Sequence, residues 1–243
     1  MGGRLRFIHI TKTAGASIEF VGREEHWGQH DEEYGRMMSA SLEWTPKDFW
    51  HIPPQFMTSE LFSELRSHYT YFSVVRNPFE RVISETFCKW AGFQNKHKNK
   101  MWNPRKNWAD PANINAWITY RLKEVRAKIQ TFEQRKSIVG LHVAANETLL
   151  CGHWIPQNYY VVDDGGVDFI QPENVLRFEN LARDFQGLME RDDLSYTLED
   201  VHHNKRLDDS FTVQQLSDEN IQLIREIYLE DFVKFGYSLE IPM

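Results

Sequence analysis

The feature that most constrains the fold is a strand, a small-residue loop and a helix in direct succession at the start of the chain. Residues Leu5 to Ile10 alternate and carry β-branched and aromatic side chains, which predicts a buried strand. The loop Thr11 to Ala16 follows, and Ser17 then occupies the position of a helix N-cap. This order is typical of parallel sheets covered by helices, so the sequence predicts an α/β fold.

A second strand–helix unit is predicted further along. Tyr69 to Val75 indicates a buried strand, and Asn77-Pro78 supplies the cap and first residue of a helix that runs to about Trp90. The other predicted elements are a short helix Thr58–Arg66, an amphipathic helix Asn113–Arg135, strands Asn158–Val162 and Asn174–Phe178 around a turn at Asp163-Asp164-Gly165-Gly166, and helices Glu179–Glu190 and Ser217–Phe235. With no repeat or linker in 243 residues, we expect one domain over residues 1–243.

Composition limits the partners and the compartment. The net charge is −7, so an anionic ligand must be met by local cations rather than by the molecule as a whole. The chain has no run of about 18 apolar residues, and its first residues lack an apolar signal core, which predicts a soluble protein with no membrane span. The two cysteines, Cys88 and Cys151, favour a reduced compartment such as the cytoplasm, although one disulfide remains an alternative.

The loop after the first strand has the composition of an anion site. Ala14, Gly15 and Ala16 let an anion approach the backbone, Lys12 adds a charge, and Thr13 and Ser17 add hydroxyl donors. The order differs from the ordinary nucleotide P-loop, in which the lysine follows the glycines. Alone, the loop is equally consistent with a tight strand–helix turn.

A second pair of candidate anion ligands follows the second strand. Arg76 stands at the strand end and Ser84 lies on the next helix. Strand ends and helix starts share the ligand-binding edge of a parallel sheet, and a guanidinium suits phosphate. Singly, each residue is also explained by a surface ion pair or a solvated serine.

Together these segments resemble sulfotransferases that use 3′-phosphoadenosine 5′-phosphosulfate (PAPS), closest to the carbohydrate branch with the heparan 2-O- and chondroitin 4-O-sulfotransferases and their bacterial and algal relatives. Residues 7–17 are similar to the 5′-phosphosulfate loop, and residues 72–78 with Ser84 are similar to the 3′-phosphate site. Later similar segments are His153-Trp154-Ile155-Pro156-Gln157, Arg177-Phe178-Glu179-Asn180-Leu181, His203-Asn204-Lys205 and residues 231–237. The resemblance implies a P-loop-like three-layer fold with a central, mostly parallel sheet flanked by helices. Residues 91–143 match least and are expected to form a helical, basic insertion near the acceptor site.

The resemblance also implies roles. PAPS is the expected sulfate donor and PAP the product, held by the loop from Lys12 to Ser17, by Arg76 and Ser84, and by Lys205 or Arg206. Lys12 is expected to stabilise the charge on the leaving oxygen. His51 is the expected general base for an acceptor hydroxyl, with His26, His30 and His153 as alternatives. His153, Trp154 and Gln157 are expected to shape the acceptor site.

Several alternatives stay open. The acceptor is a glycan, a small alcohol or an amine, and the basic stretch from Lys96 to Lys106 is either a glycan-binding surface or a solvated loop. Nucleic acid is disfavoured by the acidic total charge, and His202-His203 lacks a third metal ligand at convincing spacing. A P-loop kinase-like phosphotransferase and a non-catalytic PAPS- or PAP-binding module are the rival functions. Location in the Golgi lumen is expected only if the chain is a trimmed catalytic domain.

Overall fold

The structure is a computed structural model that describes residues 4–22, 27, 53, 67–89, 92–93, 107, 109–135, 152–162, 166–198 and 211–242, with backbone alone for residues 4 and 131–135. In chain order the helices and strands of these residues are β1 Arg4–Ile8, α1 Gly15–Val21, β2 Tyr69–Val75, α2 Pro78–Thr86, α3 Pro111–Arg135, β3 Val175–Arg177, α4 Leu181–Arg191, α5 Asp218–Ile227 and α6 Leu229–Phe235. The chain divides into two compact units, one of Met1–Arg76 with Gln157–Asn204 and one of Asn77–Pro156 with Lys205–Met243. The predicted helix Thr58–Arg66 lies outside the described residues.

The first unit contains a parallel sheet in the order β1-β2-β3. Phe7 pairs with Phe72 across the first two strands, and Val74 pairs with Leu176 across the second two. From Tyr71 to Val75 every residue of β2 is buried, as expected for a central parallel strand covered on both faces. The predicted α/β fold with a parallel sheet flanked by helices is confirmed.

One face of this sheet packs against α1 and α4. Apolar side chains from all three strands share a core with residues of both helices: Leu5, Phe7, Phe72, Val74, Leu176, Ile18, Phe185, Leu188 and Met189. Trp27 completes this core, edge-on to Phe72 at 5.5 Å between ring centroids. Burial of these large side chains is the main stabilising contribution to the unit.

Two sequence predictions in this unit are wrong. Ser17 is not the cap of α1, because the helix already begins at Gly15 and Ala14 occupies the cap with a left-handed φ of 74°. Residues 158–162 do not form a strand. Their first three residues belong to a short 3₁₀ helix, Gln157–Tyr160, and Val162 makes only an isolated antiparallel bridge with Asp168. The run of buried apolar residues suits either conformation, and periodicity cannot separate them.

The second unit is helical in its described part. Asn77 caps α2 as predicted, since its side chain accepts from the amides of Phe79 and Glu80, and Pro78 is the first helical residue. The long helix α3 packs against α5, where the buried amide of Asn220 donates to the carbonyl of Asn115 at 3.0 Å. The prediction of one helix over Ser217–Phe235 is wrong, because Tyr228 interrupts it, although Ser217 caps α5 as expected.

Among the described residues, no helix has the length and apolar character needed to cross a membrane.

Candidate functional site

The loop between β1 and α1 has an unusual backbone. Lys12 and Ala14 adopt left-handed φ values of 64° and 74°, which non-glycine residues rarely do. Such conformations cost about 1–3 kcal/mol each and persist only where the surroundings impose them. One contact within the loop is the bond from the fully buried Thr13 hydroxyl to the Ile10 carbonyl, at 2.8 Å. The Thr13 hydroxyl therefore donates its proton within the loop, whereas the sequence suggested that it donates to a ligand.

The small residues of the loop differ in their surroundings. The amide of Ser17 donates to the Ala14 carbonyl at 2.9 Å, which begins α1, and Ala16 is partly exposed. Gly15 is buried beneath the imidazole ring of His9, and a methyl group added to it would overlap that ring. Lys12 itself is partly buried at the turn of the loop.

Arg76 lies beside this loop. It follows β2 directly, and its Nη1 donates to the Lys12 carbonyl at 3.5 Å. The guanidinium carbon lies 4.2 Å from the ring centroid of Phe178, close enough for a cation–π contact. Lys12 and Arg76, the two cationic residues expected to bind an anion, are 64 positions apart in the sequence but lie close together after the ends of β1 and β2.

A buried glutamine fixes the backbone of Arg76. Gln157 Oε1 accepts from the Arg76 amide and its Nε2 donates to the Arg76 carbonyl, both at 2.8 Å. Gln157 has no exposed surface, so neither bond competes with water. The sequence placed Gln157 near the acceptor, whereas its side chain is bonded to the residue expected to bind the donor.

In the second unit, α2 carries Ser84 and a buried charged cluster. Ser84 is 9% exposed. The next residue, Glu85, is buried and accepts from Nδ1 of His153 at 2.6 Å, while its other carboxylate oxygen lies 3.8 Å from Arg81. Arg81 also donates to the Ile155 carbonyl at 2.8 Å, which ties α2 to the segment around His153.

Glu85, Cys88 and His153 also form a group whose donor atoms lie within 4.8 Å of one another. Thiolate, imidazole and carboxylate are the donor types of a zinc site. Both carboxylate oxygens of Glu85 are, however, already engaged, one by His153 and one by the Arg81 guanidinium, whose charge would oppose a cation there. The group is better explained as a hydrogen-bonded anchor between α2 and His153.

Trp154 is fixed by its backbone and by its ring. Its φ is 72°, its carbonyl accepts from the Tyr228 hydroxyl at 3.0 Å, and its ring packs edge-on to Trp117. Burial raises the pKa of the Tyr228 hydroxyl, with the nearby carboxylates of Asp231 and Glu85 acting in the same direction and Arg81 against it. Trp154 itself is fully buried, which suits a structural role.

A family model described as "Sulfotransferase family" matches residues 6–238. The chain belongs to this family. Membership indicates a transferase that moves a sulfuryl group, and the match includes both segments that the sequence suggested as anion sites. Neither a curated protein nor a solved structure matches the chain.

In this member of the sulfotransferase family, several predicted site residues lie outside the described part of the chain: His51, the alternative bases His26 and His30, the pair Lys205 and Arg206, and the basic stretch Lys96 to Lys106. Sequence reasoning missed the contacts of His9 and of Glu85. Neither residue belongs to a pattern that signals a partner, because the partners come from other elements.

Proposed function

We propose that this chain transfers the sulfuryl group of PAPS to a hydroxyl group of an acceptor, either a glycan or a small metabolite. The proposal rests on the family match over residues 6–238 and on one observation, the contact between the Arg76 guanidinium and the Lys12 carbonyl. That contact brings the Arg76 guanidinium beside the backbone of Lys12, in the loop that follows β1. PAPS carries two separate anionic groups, so it needs two cations.

The donor's 3′-phosphate is assigned to Arg76 and Ser84, with Lys205 or Arg206 as a further donor. The backbone of Arg76 is held by Gln157 on both its amide and its carbonyl, and its guanidinium rests on Phe178. A guanidinium restricted before binding loses less conformational freedom when the phosphate arrives. This restraint supports Arg76 as the residue that distinguishes PAPS from nucleotides without a 3′-phosphate.

The 5′-phosphosulfate is assigned to the loop from Lys12 to Ser17. In the proposed in-line displacement, the acceptor oxygen bonds to sulfur as the bond between sulfur and the bridging oxygen breaks. PAP leaves with the electron pair of that broken bond, and Lys12 stabilises the charge on its oxygen. The acceptor proton passes to a base.

His51 is the proposed base, because an imidazole titrates near neutral pH and suits an alcohol acceptor. His153 is the alternative, but its Nδ1 is bonded to the buried Glu85 carboxylate, which supports a structural role. His51→Ala should abolish transfer and leave PAP binding nearly intact. His153→Ala should lower stability while the folded fraction retains transfer. The reverse pattern would exchange the two assignments.

Thermal unfolding with nucleotides tests the donor. PAP at about 100 times its dissociation constant should raise the free energy of unfolding by about 2.7 kcal/mol, and Arg76→Ala should reduce this gain. Stabilisation by ATP with magnesium, without any by PAP, would replace the proposal with a kinase-like phosphotransferase.

Radiolabelled PAPS tests the transfer and the acceptor together. The protein is incubated with labelled PAPS and separate panels of glycans, small alcohols and amines. Label should appear on a hydroxyl-bearing acceptor and be lost in Lys12→Ala. Label on amines alone would remove the need for a base, and PAP binding without transfer to any panel would favour the binding module.

A further inference from the structure

The packing of His9 against Gly15 suggests a role that the sequence did not indicate. A Cβ added to Gly15 would lie 2.6 Å from Cε1 of the His9 ring and closer still to Nε2 and Cδ2. Real Cβ atoms essentially never come that near, so the ring occupies the space that any larger residue would need. Gly15 is the first residue of α1 and does not have a positive φ, so its backbone does not require glycine.

His9 also lies close to the next turn of α1. Its Nδ1 lies 3.2 Å from Oε1 of Glu19, and both side chains are largely buried, with 12% and 15% exposed. Residues four apart share a face of a helix, so Gly15 and Glu19 present one surface to the ring. His9 follows β1 directly, and its ring also contacts Phe7, with ring centroids 5.7 Å apart.

We propose that His9 is a positioning residue of the loop from Lys12 to Ser17. Its ring, seated on Gly15 and close to Glu19, sets where α1 begins relative to the end of β1, and so acts with the Thr13 bond to keep the intervening Lys12 and Ala14 in their left-handed conformations. This inference rests on the proposed function, since it concerns the residues assigned to the 5′-phosphosulfate. It also changes the explanation of Gly15, whose small size is required by His9, whereas the sequence suggested close approach of the anion.

A double-mutant cycle separates these explanations. Gly15→Ala should weaken PAP binding about tenfold, within the coupling range of residues in contact, because the methyl group displaces the ring. His9→Ala should weaken it by a similar factor, and with labelled PAPS it should raise KM more than it lowers kcat. In the double variant, the added methyl group should have little further effect, because the ring that it displaces is absent. If glycine is needed for the anion itself, Gly15→Ala will weaken PAP binding equally with and without His9, which overturns the inference.

Conservative and control variants complete the test. Glu19→Gln keeps the size of the partner and should weaken PAP binding less than His9→Ala does. Gly187→Ala is the matched glycine control, because its methyl group would meet only Nη1 of Arg191, at 3.8 Å. His68→Ala is the matched histidine control on an exposed side chain.

Two readouts separate failure of this inference from failure of the proposed function. PAP affinity by calorimetry and thermal unfolding without ligand are measured for every variant. If the original protein does not bind PAP, the proposed function fails and this inference falls with it, whatever the unfolding data show. If it binds PAP and the variants fold, but the cycle shows no coupling in PAP affinity, the inference alone is wrong. If a single variant fails to fold, Glu19→Gln takes its place. A KM that rises more than kcat falls in Glu19→Gln supports the inference, and an unchanged KM overturns it.

Discussion

The side-chain amide of Gln157 spans the backbone of Arg76, with bonds of 2.8 Å to both the amide and the carbonyl. The two residues are 81 positions apart in the sequence, and Gln157 is fully buried. A single side chain thus bonds to both backbone groups of the arginine that we assign to the 3′-phosphate.

Gln157→Ala should lower stability by about 1–3 kcal/mol, because the amide and the carbonyl of the partly buried Arg76 lose their partner. It should also weaken PAP binding, since Arg76 is no longer fixed before the ligand arrives. Urea unfolding and calorimetry with PAP measure the two effects. The exposed Gln186, bonded to Glu190 on α4, provides the control Gln186→Ala, which should change neither quantity measurably. Unchanged PAP affinity in a destabilised Gln157→Ala would limit Gln157 to a structural role.

Tyr228 should make the second unit sensitive to alkali. Its pKa is raised by burial above the ordinary value of about 10, so the folded protein keeps a proton that the unfolded chain releases. The contribution of Tyr228 to the free energy of unfolding is fully present below a pH of about 10. It is lost as the pH rises from there toward the pKa of Tyr228 in the folded protein.

Tyr228→Phe removes both the titrating group and the 3.0 Å bond to the Trp154 carbonyl. At neutral pH the variant should be less stable by about 1 kcal/mol. The difference from the original protein should shrink as the pH rises above about 10. Chemical unfolding measured between neutral and alkaline pH checks this, and a difference that stays constant or grows would contradict the assignment.

Glu85 should be hard to replace without a loss of stability. Glu85→Ala leaves Arg81 and His153 in a buried site without the carboxylate between them, and removing one partner of a buried pair costs about 3–5 kcal/mol. Glu85→Gln should cost less, since it keeps hydrogen-bonding groups. The exposed pair of Arg126 and Glu226, at 3.1 Å, gives the control Glu226→Ala, with an expected cost below about 1 kcal/mol. Similar losses in Glu85→Ala and Glu226→Ala would show that burial is not the deciding factor.

A chelator should leave the melting temperature unchanged if the group of Glu85, Cys88 and His153 is a hydrogen-bonded anchor. The measurement is thermal unfolding before and after EDTA treatment, with Cys88→Ser as the comparison. A fall in melting temperature with EDTA that is absent in Cys88→Ser, together with zinc found by elemental analysis, would instead establish a metal site at this group.

Asn77, the cap of α2, should add to the free energy of unfolding. Asn77→Ala should cost about 0.5–2 kcal/mol, because the amides of Phe79 and Glu80 lose their acceptor, while Asn77→Asp should retain most of it. Urea unfolding measures both, and Ser217→Ala at the cap of α5 should show a loss of similar size. Equal stability of Asn77→Ala and the original protein would show that another group satisfies these amides.

The sequence predicted some elements well, because local chemistry decides them. β2 has the predicted bounds, and α2 starts where Asn77 and Pro78 indicate. The start of α1 was misplaced because its cap, Ala14, is defined by a left-handed backbone and not by a capping side chain. The break at Tyr228 was missed because a one-residue interruption hardly disturbs apolar spacing.

The candidate site likewise combines features that the sequence can predict with features that depend on tertiary packing. The approach of Lys12 and Arg76 follows from the general geometry of parallel sheets, so the sequence was enough to expect it. The clamp by Gln157 and the packing of His9 on Gly15 depend on side chains that meet only after tertiary packing. No periodicity or motif carries that information.

The register of the sheet has a consequence for how the protein is made. Arg4 pairs with Tyr69 and Ser73 pairs with Val175, so the strand pairings among the described residues join segments that are far apart in the chain. On the ribosome, β1 cannot pair with β2 until β2 has emerged, and β2 cannot pair with β3 until β3 follows. Sheets built from such distant pairings form slowly and expose apolar strands in the meantime. We therefore expect production in the cell to depend on chaperones that shield β1 and β2 until β3 is synthesised.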